Sequence, residues 1–245
     1  MLKSKMFRFA CAFLLLAAAR FVTVQPFARS GRDVTNRVSG ICESASLGTI
    51  TSLPPSTINF VHIPKTGGTT IENVFKETWN ISVGRHGITY ETDRNECNTW
   101  HRPPMRKVPR SFVVVREPLE RLESEFKWGH KLFKDYQRFP LSLEGFESWI
   151  HFTLARAKYE PEITDCHFLP QWTYARRVES IVRFKCVDVL LSALSRTYDS
   201  HKTSVIANVA QAHTAWAVRA STRTRELTRE FFQDDYRHLQ EYFTK

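Results

Sequence analysis

A chain of 245 residues in which 42% of side chains are hydrophobic and 13% aromatic can fill one sizeable core, and 9 glycines and 11 prolines are too few for a collagen-like or low-complexity chain. Lysine and arginine number 35 against 25 acids, a formal charge of +10 that favours anionic partners. Half of that excess (Lys3, Lys5, Arg8, Arg20 and Arg29) lies in the first 31 residues, which hold no acid, so the remainder is only mildly basic and shows no Lys/Arg stripe. Nucleic acid is therefore not an expected partner.

The amino terminus reads as a targeting segment. Lys3, Lys5 and Arg8 precede eleven uninterrupted apolar residues, 9–19, closer to a signal-peptide core than to a span of about 20. With Arg20 snorkelling, residues 6–24 would instead form a type II signal anchor. Residues 1–24 are thus expected either to be cleaved near 17–19 or to hold the chain in a membrane, a buried helix being the plainer alternative. Residues 25–57, rich in Ser, Thr, Gly, Arg and Pro and without a sustained period, read as a stem ending at Pro54-Pro55, with the folded unit over 58–245.

Residues 58–62 (INFVH) and 111–115 (SFVVV) are short β-branched and aromatic runs, with 180–184 (SIVRF) a weaker third. Continuous apolarity implies burial on both faces, as in a parallel sheet. Ile71, Val74, Phe75 and Thr78 share a helical face, as do Leu119, Leu122, Phe126 and Phe133 behind Pro118; 143–158, 187–196, 205–220 and 224–243 also read as helices. The alternation predicts an α/β fold, a P-loop-like parallel β-sheet flanked by helices on both faces, with ligands at the carboxyl ends of the strands.

Between the first strand and its helix lies Pro64-Lys65-Thr66-Gly67-Gly68-Thr69-Thr70. Adjacent glycines bring backbone amides close to a ligand, the helix amino terminus points there, and Lys65 with the threonine hydroxyls supplies further donors. This is an anion cradle rather than a plain turn. A nucleoside-triphosphatase loop would place its lysine after the glycines and an aspartate on a later strand to hold Mg²⁺. Here Lys65 precedes them and the second strand ends in Val115-Arg116, so a transferred group that needs no metal fits better. In the helix opened by Pro118, Ser124 can point back toward Arg116, so that a guanidinium and a hydroxyl hold one phosphate; Arg121 either assists or pairs with Glu117 or Glu125.

Cys11 falls in the targeting segment, leaving Cys42, Cys97, Cys166 and Cys186, which in an oxidising compartment allow three pairings. Their spacing fits no zinc pattern, and free buried thiols are the alternative. Asn80-Ile81-Ser82 is a glycosylation sequon if the chain is lumenal.

The stretch 60–70 (FVHIPKTGGTT) resembles the 5′-phosphosulfate loop, and 115–126 (VREPLERLESEF) the 3′-phosphate motif, of the sulfotransferases that use 3′-phosphoadenosine 5′-phosphosulfate (PAPS), in particular the membrane-anchored Golgi type. Looser likenesses are Asp165-Cys166-His167-Phe168-Leu169-Pro170-Gln171 ahead of the third strand and the ending 234–243. The resemblance implies a sulfotransferase fold, PAPS as co-substrate, no metal, Lys65 stabilising the leaving phosphate, and donor contacts from Lys65, Thr66, Gly67, Gly68, Thr69, Thr70, Arg116 and Ser124. It also implies a type II Golgi-membrane enzyme with a lumenal domain, or a secreted one if the segment is cleaved.

A base must take the acceptor proton, and histidine is the usual choice. His101, in Asn98-Thr99-Trp100-His101-Arg102-Pro103, lies between the two motifs, where related polysaccharide sulfotransferases place a catalytic histidine; His86 is the second candidate and His62 reads as structural. His167 and Arg102 are expected at the substrate. Arg85, Arg102, Arg106, Lys107, Arg110 and Lys131 would line an entrance for an acidic glycan unless they are scattered surface charge. The expected acceptor is a carbohydrate hydroxyl. A metal-dependent small-molecule kinase and a non-catalytic binder of acidic glycans are the competing readings.

Overall fold

The computed structural model describes residues 42, 45–93, 96–198 and 215–243. The targeting segment, most of the stem and residues 205–214 of one expected helix lie outside them. Among the described residues no helix is long and apolar enough to cross a membrane.

Three parallel strands, β1 (Asn59–Phe60), β2 (Ser111–Val115) and β3 (Ser180–Arg183), form a sheet in that order with β2 central. Phe60 pairs with Phe112, and Val113 with Ile181. Every residue of β2 is buried, because alternate side chains enter different cores. Phe112 and Val114 face α1 (Ala45–Thr51), α2 (Gly68–Trp79) and α6 (Val187–Tyr198), beside Ile71, Phe75 and Leu190. Val113 and Val115 pack on the opposite face with Tyr174 and Ala175 of α5 (Trp172–Ala175) and with Leu239. The sheet is therefore helix-covered on both faces, the α/β arrangement expected.

Beyond the sheet, α3 (Pro118–Leu132), α4 (Leu143–Ala157), α7 (Ala215–Arg219) and α8 (Thr222–Phe231) enclose a third, aromatic core around Phe126, Phe146 and Trp149. Local chemistry sets the helix starts: Glu117 caps α3 by accepting from the Glu120 amide at 2.8 Å, with Pro118 behind it, and Ser142 caps α4 through the Gly145 amide at 3.1 Å. Residues 233–243 continue as two short helices, α9 (Gln233–His238) and α10 (Gln240–Phe243), so the expected helix over 224–243 is broken into three.

Residues 45–57, expected within the stem, belong to the folded body. Leu47 and Ile50 of α1 enter the sheet core, and Cys42 is disulfide-bonded to Cys186 immediately before α6. The second disulfide joins Cys97 to Cys166. Asn80 of the sequon is exposed at the carboxyl end of α2 in a left-handed conformation (φ 56°).

Candidate active site

A cleft of about 960 Å³ opens at the carboxyl ends of the strands. Lys65, Gly67, Gly68, Thr69 and Thr70 reach it from the loop after β1, Arg116 from the end of β2, Ser124 from α3 and Phe184 from the end of β3. The loop turns through two left-handed residues, Lys65 (φ 68°) and Gly67 (φ 90°). A side chain at Gly67 would strike the Phe184 ring at 3.0 Å, and one at Gly68 would strike His62 at 2.5 Å. The second glycine thus makes room for a buried imidazole beneath the loop.

Lys65 Nζ lies 4.3 Å from the centre of the Trp128 ring. Burial, opposed by the Glu125 carboxylate and reinforced by Arg116 and Lys131, brings its ammonium down to about 8. The buried Arg116 guanidinium stacks on Phe184 at 4.5 Å, and its Nε, 3.6 Å from Glu120, has no hydrogen-bond partner among the described residues. Gln171 holds the end of β2 in place, accepting from the Arg116 amide at 2.9 Å and donating to its carbonyl at 2.8 Å.

One expected donor residue, one substrate residue and the second candidate base have side chains that turn elsewhere. Thr66 is fully buried and its hydroxyl donates to the Ile63 carbonyl at 2.8 Å, so the side chain closes the turn rather than facing the cleft. Arg102 donates from Nε to the Cys97 carbonyl at 2.6 Å and lies outside the cleft lining. His86 is exposed, accepts from Arg85 Nε at 3.1 Å and also lies outside it. Arg121 makes neither expected ion pair: its buried guanidinium donates to the carbonyls of Pro64 (3.0 Å), Leu169 (2.9 Å) and His167 (2.6 Å).

His101 and His167 both line the cleft, their rings 4.7 Å apart. Each of three neighbouring histidines bonds a carboxylate through Nδ1: His62 to Glu72 at 2.7 Å, His101 to Asp165 at 2.8 Å and His167 to Glu125 at 2.6 Å. Burial, then His167 and His62, push the His101 imidazole down to about 4 against the pull of Asp165, so it is neutral at pH 7. Asp165 works against its own burial: the Asn98 side chain and amide, together with the His101 ring, hold it below the usual carboxylate range. A carboxylate on Nδ1 fixes the tautomer and leaves Nε2 as the proton acceptor. Among the described residues, His101, Asp165 and His167 also present ligand atoms within 4.8 Å of one another, close enough to share a metal ion.

The sequence reading gave no role to Asp165, which sits on a strained turn. Thr164, Asp165 and Cys166 are consecutive left-handed residues (φ 53°, 60° and 63°), each costing about 1–2 kcal/mol. Cys97–Cys166 pins this turn to the loop bearing Asn98 and His101. Nor did it assign Trp128 or Glu72, or join Glu125 to His167, because each of these contacts links residues well separated in the chain.

A family model described as Sulfotransferase family matches residues 50–242, more than three quarters of the chain. Neither a curated protein nor a solved structure matches.

Proposed function

Because the chain belongs to the sulfotransferase family, whose members generally use PAPS as sulfate donor, we propose that it moves the sulfuryl group of PAPS to a hydroxyl of a carbohydrate acceptor. The observation that carries this reading is one cleft with an anion cradle at Lys65–Thr70, a buried guanidinium at Arg116, and a neutral histidine held by a carboxylate between them and the acceptor end.

The residues suit a nucleotide with phosphate at two positions. Gly67 and Gly68 bring the loop backbone to the cleft over the His62 and Phe184 rings, and the buried Arg116, whose Nε makes no hydrogen bond among the described residues and lies 3.6 Å from Glu120, lines the same cleft as Ser124. Bound PAPS supplies an activated sulfuryl group on a phosphate leaving group. His101 Nε2 takes the acceptor proton as the acceptor oxygen bonds to sulfur, and the electron pair of the broken S–O bond stays on the phosphate oxygen. Lys65, still protonated at pH 7, stabilises that charge, and Trp128 keeps it in place. Asp165 holds the imidazole and stabilises its cation.

A lumenal, Golgi-type location with residues 1–24 as anchor or cleaved signal is part of the proposal, and two disulfides suit an oxidising compartment. The test is incubation with labelled PAPS and a panel of glycans, tyrosine peptides and small alcohols, with calorimetry of 3′,5′-ADP. Label on a carbohydrate hydroxyl and nucleotide binding are expected. Absence of both transfer and nucleotide binding would sink the reading, and Mg²⁺-dependent ATP turnover would replace it with a kinase.

A further inference from the structure

The cleft extends past His101 along an aromatic wall built by the end of α3 and by α4. Phe133, expected within a buried helical stripe, is instead 44% exposed, and Phe152 is 56% exposed; both line the same cavity as Lys65, Phe133 beside Trp128 and Phe152 beside Phe139. Exposed rings facing a catalytic cleft have no core to serve. They offer flat apolar area to whatever lies beside the base.

The charges along this stretch are already matched. Arg156 is bonded to Glu160 at 2.8 Å, Arg85 reaches Glu72 at 3.3 Å, and the lining carboxylate Asp135 pairs with Arg138 at 3.2 Å. An acidic acceptor would have to compete with these largely exposed pairs and lie beside the carboxylates of Asp135 and Asp165, a like-charge contact that disfavours it. Uncharged hydroxyls meet no such penalty: Thr153 lines the same cavity, and the Thr164 hydroxyl, which donates to the Ile163 carbonyl at 2.7 Å, keeps its lone pairs to accept.

Resting on the sulfuryl-transfer reading above, we infer that the acceptor is an uncharged sugar residue whose apolar ring face lies on the Phe133–Phe139–Phe152 wall while its hydroxyls meet the threonines. This departs from the acidic glycan that the scattered arginines and lysines of the sequence suggest.

The experiment uses the full chain saturated with 3′,5′-ADP. Saturation-transfer NMR with neutral hexose and N-acetylhexosamine oligosaccharides should show contact through ring C–H protons, and uronate-containing oligosaccharides should show none. With labelled PAPS, Phe133→Ala and Phe152→Ala should each raise KM for neutral sugars roughly fivefold to tenfold, the loss of one stacking contact, at unchanged 3′,5′-ADP affinity. Both positions are exposed, so folding is not at stake. Preferred transfer to uronate chains, to phenols or to apolar alcohols would overturn the inference and leave sulfuryl transfer standing. So would nucleotide binding with no sugar contact. Loss of 3′,5′-ADP binding by the wild-type chain would instead strike the underlying reading.

Discussion

At one end of the cleft Lys65 and Arg116 follow directly from β1 and β2, and a local run of residues suffices to place each. At the other end His101 closes a single 3-10 turn (Thr99–His101) and His167 sits on a turn outside any helix or strand. Asp165, 64 residues from His101 in sequence, and the Cys97–Cys166 bond, spanning 69, hold them together. On the proposed reading, the sheet positions the donor end, whereas long-range pairs hold the base end. Lesions at the two ends should accordingly fail in different ways.

The largest expected effect lies at the base end. His101→Ala should lower kcat by about 10²–10⁴-fold with 3′,5′-ADP affinity unchanged, measured by label transfer and calorimetry at equal folded content. Retained activity would move the base elsewhere.

Lys65→Ala should lower kcat by about 10²–10³-fold, the usual loss for one donor to a developing oxyanion, and weaken nucleotide binding as well. The same residue sets the alkaline limit. kcat/KM should rise as His101 deprotonates through about pH 4 and fall as Lys65 loses its proton near pH 8. Lys65→Arg should remove the alkaline fall, because a guanidinium stays charged.

The two disulfides sharpen the contrast. Replacing both Cys97 and Cys166 by Ser should cost about 2–4 kcal/mol in denaturant unfolding and depress kcat in the molecules that remain folded. Replacing Cys42 and Cys186, whose bond ties residues before α1 to the start of α6, should lower stability comparably but leave kcat of the folded fraction intact. Equal kcat in both pairs would mean that the Cys97–Cys166 bond does not orient the base.

The smallest effect is expected for Ser124→Ala. Losing one hydroxyl from the cleft that Arg116 also lines should weaken 3′,5′-ADP by about tenfold, on the order of one charge-assisted hydrogen bond, with kcat at saturating donor little changed.

Legibility followed the same division. Strand, glycine loop and helix announce themselves within a dozen residues, so the α/β order was readable, and the loop Lys65–Thr70 with Arg116 and Ser124 lines one cleft at the strand ends except for Thr66. Thr66 was misread because its spacing is right and only the fold turns its hydroxyl inward onto Ile63. Arg102 and His86 sit in the right stretch but turn to a backbone carbonyl and to Arg85, choices that depend on neighbours far along the chain or on local turns. Asp165 gave no local signal because its three left-handed positions carry no glycine. The residues of α1 looked like stem because a short helix with two inward apolar residues shows no sustained period.

Arg121 belongs to neither end. Its guanidinium grips the Pro64 carbonyl beside the donor loop and, with its other nitrogens, the carbonyls of His167 and Leu169. A single planar, permanently charged group thus acts as a tie rod between the floor of the nucleotide cradle and the loop that carries the second histidine. A shift at Pro64 is expected to bear on His167, and the reverse. In the proposed reaction nucleotide and acceptor should then influence each other's affinity by the same factor, through one buried side chain that need touch neither of them.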